Sequence, residues 1–228
     1  MKRSKKYRDA IAKVDRTKKY SLEDACALLV ETSTTKFDST VEVHFNLNID
    51  PKYADQQVRS TVSLPHGSGK TKIIAAFVTD DLIEKAKQAG ADFVGSDDLI
   101  EKVAKENWTD FDIAVATPEA MRKMAKLGKV LGTKGLMPNP KAGTVSTDIV
   151  ATINEIKKGR VEFRNDTQGN LHIIGGKVSF GKDKVYENVK AVIEAVKSVR
   201  PTGVKSTYIN SITLTSTMGP GIKVAFSQ

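Results

Sequence analysis

Lys72-Ile73-Ile74-Ala75-Ala76-Phe77-Val78 is a short apolar run, and the elements after it decide the fold. Asp80-Asp81 cap a predicted helix that continues to about Ala89, where Gly90 ends it. Ala91-Asp92-Phe93-Val94-Gly95 reads as a second strand, and Ser96 to about Asn107 as a second helix. Asp112-Ile113-Ala114-Val115-Ala116 is a third strand. Thr117-Pro118-Glu119 then starts another helix, with Thr at the cap and Pro at the first helical position, where no N–H is needed. A last helix is expected from about Ser146 to Lys157. Strands alternating with helices of this kind imply a parallel sheet covered on both faces, so the fold class is α/β.

Working outward, the flanks show a different pattern. Two predicted helices precede Thr40-Val41-Glu42-Val43-His44-Phe45-Asn46-Leu47, whose period-two alternation marks a half-buried antiparallel strand. Beyond Gly159 come Arg160-Val161-Glu162-Phe163-Arg164 and Asn170-Leu171-His172-Ile173-Ile174. Next is a helix with an apolar stripe of Val185, Val189, Val192, Ile193 and Val196. Tyr208 to Met218 and Ile222 to Phe226 read as a closing hairpin around Gly219-Pro220-Gly221. Charge separates the same two regimes. Of the formal net charge of +9, residues 67–159 carry +1 and the flanks +8. We therefore expect a discontinuous domain from residues 1–66 plus 160–228 and an inserted domain at 67–159. The crossings, Leu64-Pro65-His66-Gly67-Ser68-Gly69 and Lys158-Gly159-Arg160, suit a two-strand hinge at Gly67, Gly69 and Gly159.

Composition excludes several functions. No segment approaches the roughly 18 apolar residues of a membrane span. The basic start, Met1 to Arg8, lacks the apolar region of a secretory signal, so a cytoplasmic protein without membrane contact is expected. Cys26, the only cysteine, shares helical spacing with Leu22, Leu29 and Val30 and reads as a buried small hydrophobe in a reducing compartment. A sequence pI near 9.4 favours a polyanionic partner.

Gly67-Ser68-Gly69-Lys70-Thr71 looks like the end of a phosphate-binding loop. The pattern needs Gly where Leu64 stands and a helix after the Thr, where an apolar strand is predicted instead. Thr79-Asp80-Asp81 replaces the glycine fingerprint that a dinucleotide site needs after the first strand. His44, His66 and His172 are too few and too scattered for a metal cluster and read as surface or satisfied polar residues. No catalytic residue, metal or cofactor is expected, and the chain reads as no enzyme. Between Arg122 and Lys141 stand six cations and no acid. Its first part reads as a solvated helix face. Its glycine-rich second part, with Lys134 and Lys141, would offer amides and cations to phosphate as a secondary nucleic-acid contact.

At that loop a resemblance emerges. Gly135-Leu136-Met137-Pro138-Asn139-Pro140-Lys141-Ala142-Gly143-Thr144-Val145 resembles the signature of the L-one family of large-subunit ribosomal proteins. So do the blocks Lys36 to Val43, Val58 to Gly67, Val161 to Asp166 and Ser216 to Pro220, while Arg122 to Lys126 has no close match. The resemblance implies two domains: a discontinuous α+β sandwich domain from both termini, and an inserted Rossmann-like parallel-sheet domain. It implies a cytoplasmic protein, monomeric when free, that binds large-subunit ribosomal RNA in the mobile stalk near the exit-site tRNA. It also implies repression of the protein's own mRNA. Carried over by position, the RNA face comprises Lys36 against phosphate, Phe37 against sugar or base, and Thr40 and Glu42 toward 2′-hydroxyls, which DNA lacks. Arg164 and Asp166 would flank them on the neighbouring strand, Ser211 would add a hydroxyl, and Thr217, Met218 and Gly219 would close the patch. The rival readings are a nucleotide-dependent enzyme at Gly69-Lys70-Thr71 and a DNA-binding architectural protein; competition between RNA and DNA separates the second.

Overall fold

The computed structural model describes residues 4–204 and 206–226, and the side chain of Lys141 also lies outside the described part. The first elements are α1 (Lys5–Ala12), α2 (Leu22–Glu31), β1 (Thr40–Leu47) and β2 (Arg59–Ser63). Then come β3 (Ile74–Phe77), α3 (Ile83–Gln88), β4 (Phe93–Gly95), α4 (Asp97–Glu106), β5 (Ile113–Ala116), α5 (Pro118–Met124), α6 (Gly128–Thr133) and α7 (Ile149–Lys157). The chain closes with β6 (Arg160–Arg164), β7 (Asn170–Lys177), α8 (Gly181–Ser198), β8 (Ile209–Ser216) and β9 (Ile222–Val224). Contacts divide it into two compact units, Met1–Gly69 with Gly159–Gln228, and Lys70–Lys158.

The first unit carries a four-stranded antiparallel sheet in the order β7-β1-β8-β9 and a two-stranded sheet, β2-β6. β1 shows the alternation its sequence predicts: Val41, Val43, Phe45 and Leu47 are buried and their neighbours face outward. The inner face is covered by α2 and α8, which supply Ala25, Cys26 and Leu29, and Val185, Val189, Val192 and Val196. Ser21 caps α2, its hydroxyl accepting from the Asp24 N–H at 3.1 Å. Cys26 is a core residue as expected, and burial pushes its thiol up to about 12. β2 was not anticipated. Only Val62 along it is buried, so its sequence carries no alternation, and pairing with β6 is what makes it a strand.

The second unit is a parallel sheet in the order β4-β3-β5. Ala75, Phe77, Ala114 and Ala116 pack on one face against Ile100, Val103, Met124 and Leu131 from α4, α5 and α6. Ile74, Ala76, Val78 and Val115 pack on the other against Ala86 of α3 and Ile149, Ile153 and Ile156 of α7. Thr117 and Pro118 start α5 as predicted, the Thr117 hydroxyl accepting from the Ala120 N–H at 3.2 Å. Two helix starts differ from expectation. Asp80–Leu82 forms a 3₁₀ turn with no side-chain cap before α3. The last helix begins at Ile149, because the Asp148 carboxylate accepts from the Ala151 N–H while the Ser146 hydroxyl accepts from Asp148 N–H in a preceding turn. The element after Thr71 is a strand, β3.

One polar side chain in the first core was missed within the valine stripe. Asn188 is fully buried; its amide donates to Gly67 O at 3.1 Å and Gly175 O at 2.9 Å, and its oxygen accepts from His66 N–H at 3.0 Å. It therefore fastens the 64–69 crossing to α8 and β7. Beside it, Gly159 has φ +105, and a Cβ there would run into Gly67 Cα. Only glycine permits that backbone approach. Because Asn188→Ala removes one hydrogen bond to the buried Gly175 carbonyl and two to the partly buried backbone of the crossing, it should cost about 2–4 kcal/mol, measured by urea unfolding of the full chain.

Candidate nucleic-acid interface

With one face of the four-stranded sheet under the helices, the other is open, and strand parity decides what it presents. Thr40, Glu42, His44 and Asn46 of β1 point to it. Register places Glu42 between Ile174 and Thr215, His44 between His172 and Thr213, and Asn46 between Asn170 and Ser211. Lys223 on β9 stands opposite Thr213. The result is a polar surface with little net charge along its middle.

Beyond the Thr40 end of β1 lie two loops that present apolar side chains to solvent. Met218 is 77% exposed and holds φ +66, a left-handed conformation that costs a side-chain-bearing residue roughly 1–2 kcal/mol. The turn is closed by Gly219 N–H donating to Ser216 O at 2.7 Å, and a Cβ on Gly219 would strike the Ser216 hydroxyl. Phe37, 59% exposed, sits on a loop fixed from several sides. The Asp38 carboxylate accepts from Ser179 N–H at 3.1 Å and from its hydroxyl at 2.8 Å, and the Thr35 hydroxyl donates to Phe37 O at 2.9 Å. Lys177 donates to Asp38 O and to the Thr40 hydroxyl, both at 3.1 Å. Two strained or tightly held loops thus keep large apolar groups in water, where nothing about folding requires them.

Four of the expected site residues, Lys36, Phe37, Met218 and Gly219, converge on one open groove of about 830 Å³, which Lys6 and Tyr7 of α1 also line. Thr217 adjoins them, but its hydroxyl already accepts from Thr40 N–H at 3.0 Å and donates to Thr40 O at 3.3 Å. One lone pair remains, so Thr217 can accept from an outside donor and cannot donate. Glu42 and Ser211 lie farther along the open face. Asp166 stands in the β6–β7 turn, where one carboxylate oxygen accepts from the N–H groups of Gln168 and Asn170. The hydrogen bond from the Asn170 backbone, foremost, holds its carboxyl below the usual carboxylate range. Arg164 departs from expectation. It lies opposite Arg59 in the two-stranded sheet, because β6 pairs with β2, while the neighbours of β1 are β7 and β8.

Gly67 and Gly69 hold φ +71 and +70; Gly67 lies against Gly159 and accepts from Asn188, while Gly69 lies beside Lys177 and Phe180. In the other unit, Lys134 is exposed and its ammonium donates to the Thr109 hydroxyl. Lys141 falls on a side chain outside the described residues. Among the described residues no group of three or more His, Cys, Asp or Glu could hold a metal, and no helix is long and apolar enough to cross a membrane.

Sequence reasoning passed over His44, His172, Asn46 and Asn170, although parity from Thr40 and Glu42 puts the β1 pair on the same surface. The imidazoles of His44 and His172 share a hydrogen bond, Nδ1 to Nδ1, at 2.8 Å, and the Glu42 carboxylate stands 3.5 Å from His44 Nε2. Burial, then the neighbouring His172, lowers the pKa of His44 against the opposing pull of Glu42. Native His44 therefore binds a proton less readily than the unfolded chain, whose value is near 6.5. Stability should fall as pH drops below about 6.5 and level off once both states are protonated. Thermal unfolding between pH 7.5 and 5.5 checks this, and His44→Gln should flatten the decline.

Comparison with known proteins gives a consistent result along nearly the whole chain. The model of the Ribosomal protein L1p/L10e family matches residues 29–220. The Large ribosomal subunit protein uL1 of Mycoplasma capricolum is 55% identical over 223 residues, covering 98% of each chain. The protein of the same name from Chloroflexus aurantiacus is 54% identical over 225 residues, 98% of this chain and 95% of its own. That of Thermosipho melanesiensis is 53% identical over 223 residues, 98% and 96%. A family match that takes in both flanks and the middle, at this identity and coverage, leaves one assignment: the chain belongs to the Ribosomal protein L1p/L10e family.

Proposed function

We propose that this large-subunit ribosomal protein, a structural and non-enzymatic component of the cytoplasmic ribosome, holds ribosomal RNA on the groove and open sheet face of its discontinuous unit. The observation that carries the reading is the convergence of exposed Phe37 and Met218 with Lys36 on one groove whose walls are fixed by internal hydrogen bonds. Unpaired bases stack on apolar and aromatic side chains, cations meet phosphate, and polar strands meet 2′-hydroxyls. The arrangement serves RNA better than DNA, since Glu42 can accept from a backbone 2′-hydroxyl, which DNA does not have.

The finer assignment rests on the family resemblance. In it the protein forms the mobile stalk near the exit-site tRNA and represses its own mRNA by binding a similar RNA fold. Residues 1–66 with 160–228 are the RNA-binding domain, 67–159 the inserted one, and Gly67, Gly69 and Gly159 the hinge. Asp166, Ser211 and Arg164 extend the contact, Thr40 and Thr217 order its edge, and Lys134 and Lys141 make the secondary one. The protein is a monomer away from the ribosome.

The protein should co-sediment with large subunits after a high-salt wash; release into the supernatant would remove the structural role. Joining residues 1–66 to 160–228 by a short Gly/Ser bridge should retain most affinity for the ribosomal RNA, and 67–159 alone should bind far more weakly. Equal binding by the middle piece would transfer the assignment to it. Two point variants separate charge from packing. Lys36→Ala should weaken binding to all RNAs and make the dependence on salt shallower by about one phosphate contact. Met218→Gly relieves the left-handed backbone, so stability should hold or rise by up to about 1 kcal/mol. Its affinity for the cognate RNA should nonetheless fall about tenfold, with the salt dependence unchanged.

A further inference from the structure

At the end of β1 away from the groove, about 20 Å along the strand, three amides stand in a row across the open face. Asn210 Nδ2 donates to Asn46 Oδ1 at 3.0 Å, Asn46 Nδ2 to Asn170 Oδ1 at 2.8 Å, and Asn170 Nδ2 to Asp166 Oδ2 at 3.1 Å. A bulge in β8 sets up the first link. Asn46 pairs with Ser211 and Leu47 with Ile209, so Asn210 is the extra residue, and both Asn210 and Ser211 are exposed.

The direction of the row is fixed. A carboxylate only accepts, so Asn170 must turn its NH₂ group to Asp166 and its oxygen to Asn46, and the same logic passes to Asn210. Asp166 cannot swing away, because its other oxygen is held by the N–H groups of Gln168 and Asn170. Each amide spends one N–H inside the row. That leaves each with a second N–H and at least one lone pair, in a known orientation, on an exposed strand surface.

From this we infer that Asn210, Asn46 and Asn170, oriented by Asp166, form a readout surface for the minor groove of double-helical RNA. The inference deepens the function proposed above and rests on RNA being the ligand of this unit. The row carries no cation and ends on a carboxylate, so it lacks the charge attraction that favours phosphate. It offers donors and acceptors side by side, as 2′-hydroxyls require, since each both donates and accepts. It spans three strands, about 10 Å, on the open face of the sheet, and the minor groove of an RNA helix is wide and shallow enough to meet such a surface. A DNA duplex offers a narrower groove without that hydroxyl. The groove at Phe37 and Met218 takes unstacked bases; the amide row takes paired RNA, so the two grip different parts of one folded RNA.

The test uses the full-length protein and the ribosomal RNA fragment that it protects from ribonuclease. Asn210→Ala removes the free end of the row and should lower affinity about threefold to tenfold. The melting temperature and the dependence on salt should stay at their wild-type values. Asn46→Val, a strand-compatible break in the middle, should cost about tenfold or more. Replacing the protected helical nucleotides by 2′-deoxy nucleotides should weaken wild-type binding several-fold and Asn46→Val binding far less, because both changes remove the same contacts. Wild-type affinity in both variants would overturn the readout role. So would deoxy and Asn46→Val losses that simply multiply. If Asn46→Val does not fold, Asn210→Ala against the deoxy fragment decides by the same non-additivity. Failure of the wild-type protein to bind ribosomal RNA at all would instead overturn the function proposed above.

Discussion

Strand β1 has no strand partner from its own end of the chain. Its two neighbours, β7 and β8, lie more than a hundred residues downstream, beyond the whole second unit. Every other feature of the first unit depends on that pairing: the inner face that α2 and α8 cover, the alignment of the open face, and the meeting of the loops at 33–39 and 216–219. Bringing such distant segments together costs chain entropy that local contacts do not repay. The structure answers with a fixed closure at the crossing. Gly159 lies against Gly67, and the buried Asn188 amide ties His66 and Gly67 to α8 and β7 with all of its strongest hydrogen-bonding groups engaged.

How local each signal is determines which parts of this were legible in the sequence. The second unit could be read nearly element by element, since Thr117, Pro118 and Gly90 act within one turn and the apolar runs declare their own period. β1 was equally plain, because half-burial writes itself as alternation. β2 was not, since its identity comes from β6 and not from its residues. The error over Arg164 has the same origin: sequence proximity to Asp166 and β7 suggested the main sheet, while hydrogen bonding placed the strand in the other. Asn188 was hidden by the valines around it, because a polar residue in an apolar stripe is explained only by the carbonyls it meets.

The candidate site was legible by resemblance and incomplete by chemistry. Resemblance supplied residues that converge, such as Phe37 and Met218, yet it assigned outward roles to groups that the fold partly consumes. Thr217 binds the backbone of Thr40 twice, the Thr40 hydroxyl accepts from Lys177, and Asp166 anchors its own turn. These polar groups set geometry first: the Thr217 hydroxyl keeps only one lone pair, and the Asp166 carboxylate has three of its acceptor sites taken. Residues with spare capacity, Asn46 and Asn210, were the ones that motif positions left out. Counting donors and acceptors therefore directs attention from the hydroxyls at the groove to the amides at the far end of the open face.

The dependence of β1 on β8 also governs when the first unit comes into existence. A chain still being made holds β1 early, but its first sheet neighbour, β7, is complete only at residue 177 and its second, β8, only at residue 216. The second unit, whose strands pair within about 45 residues of one another, has everything it needs much earlier. A chain that stops between residue 158 and β8 consequently carries a complete second unit and an unfinished four-stranded sheet. Completion of the open sheet face therefore waits on translation through β8, long after the second unit has all of its strands.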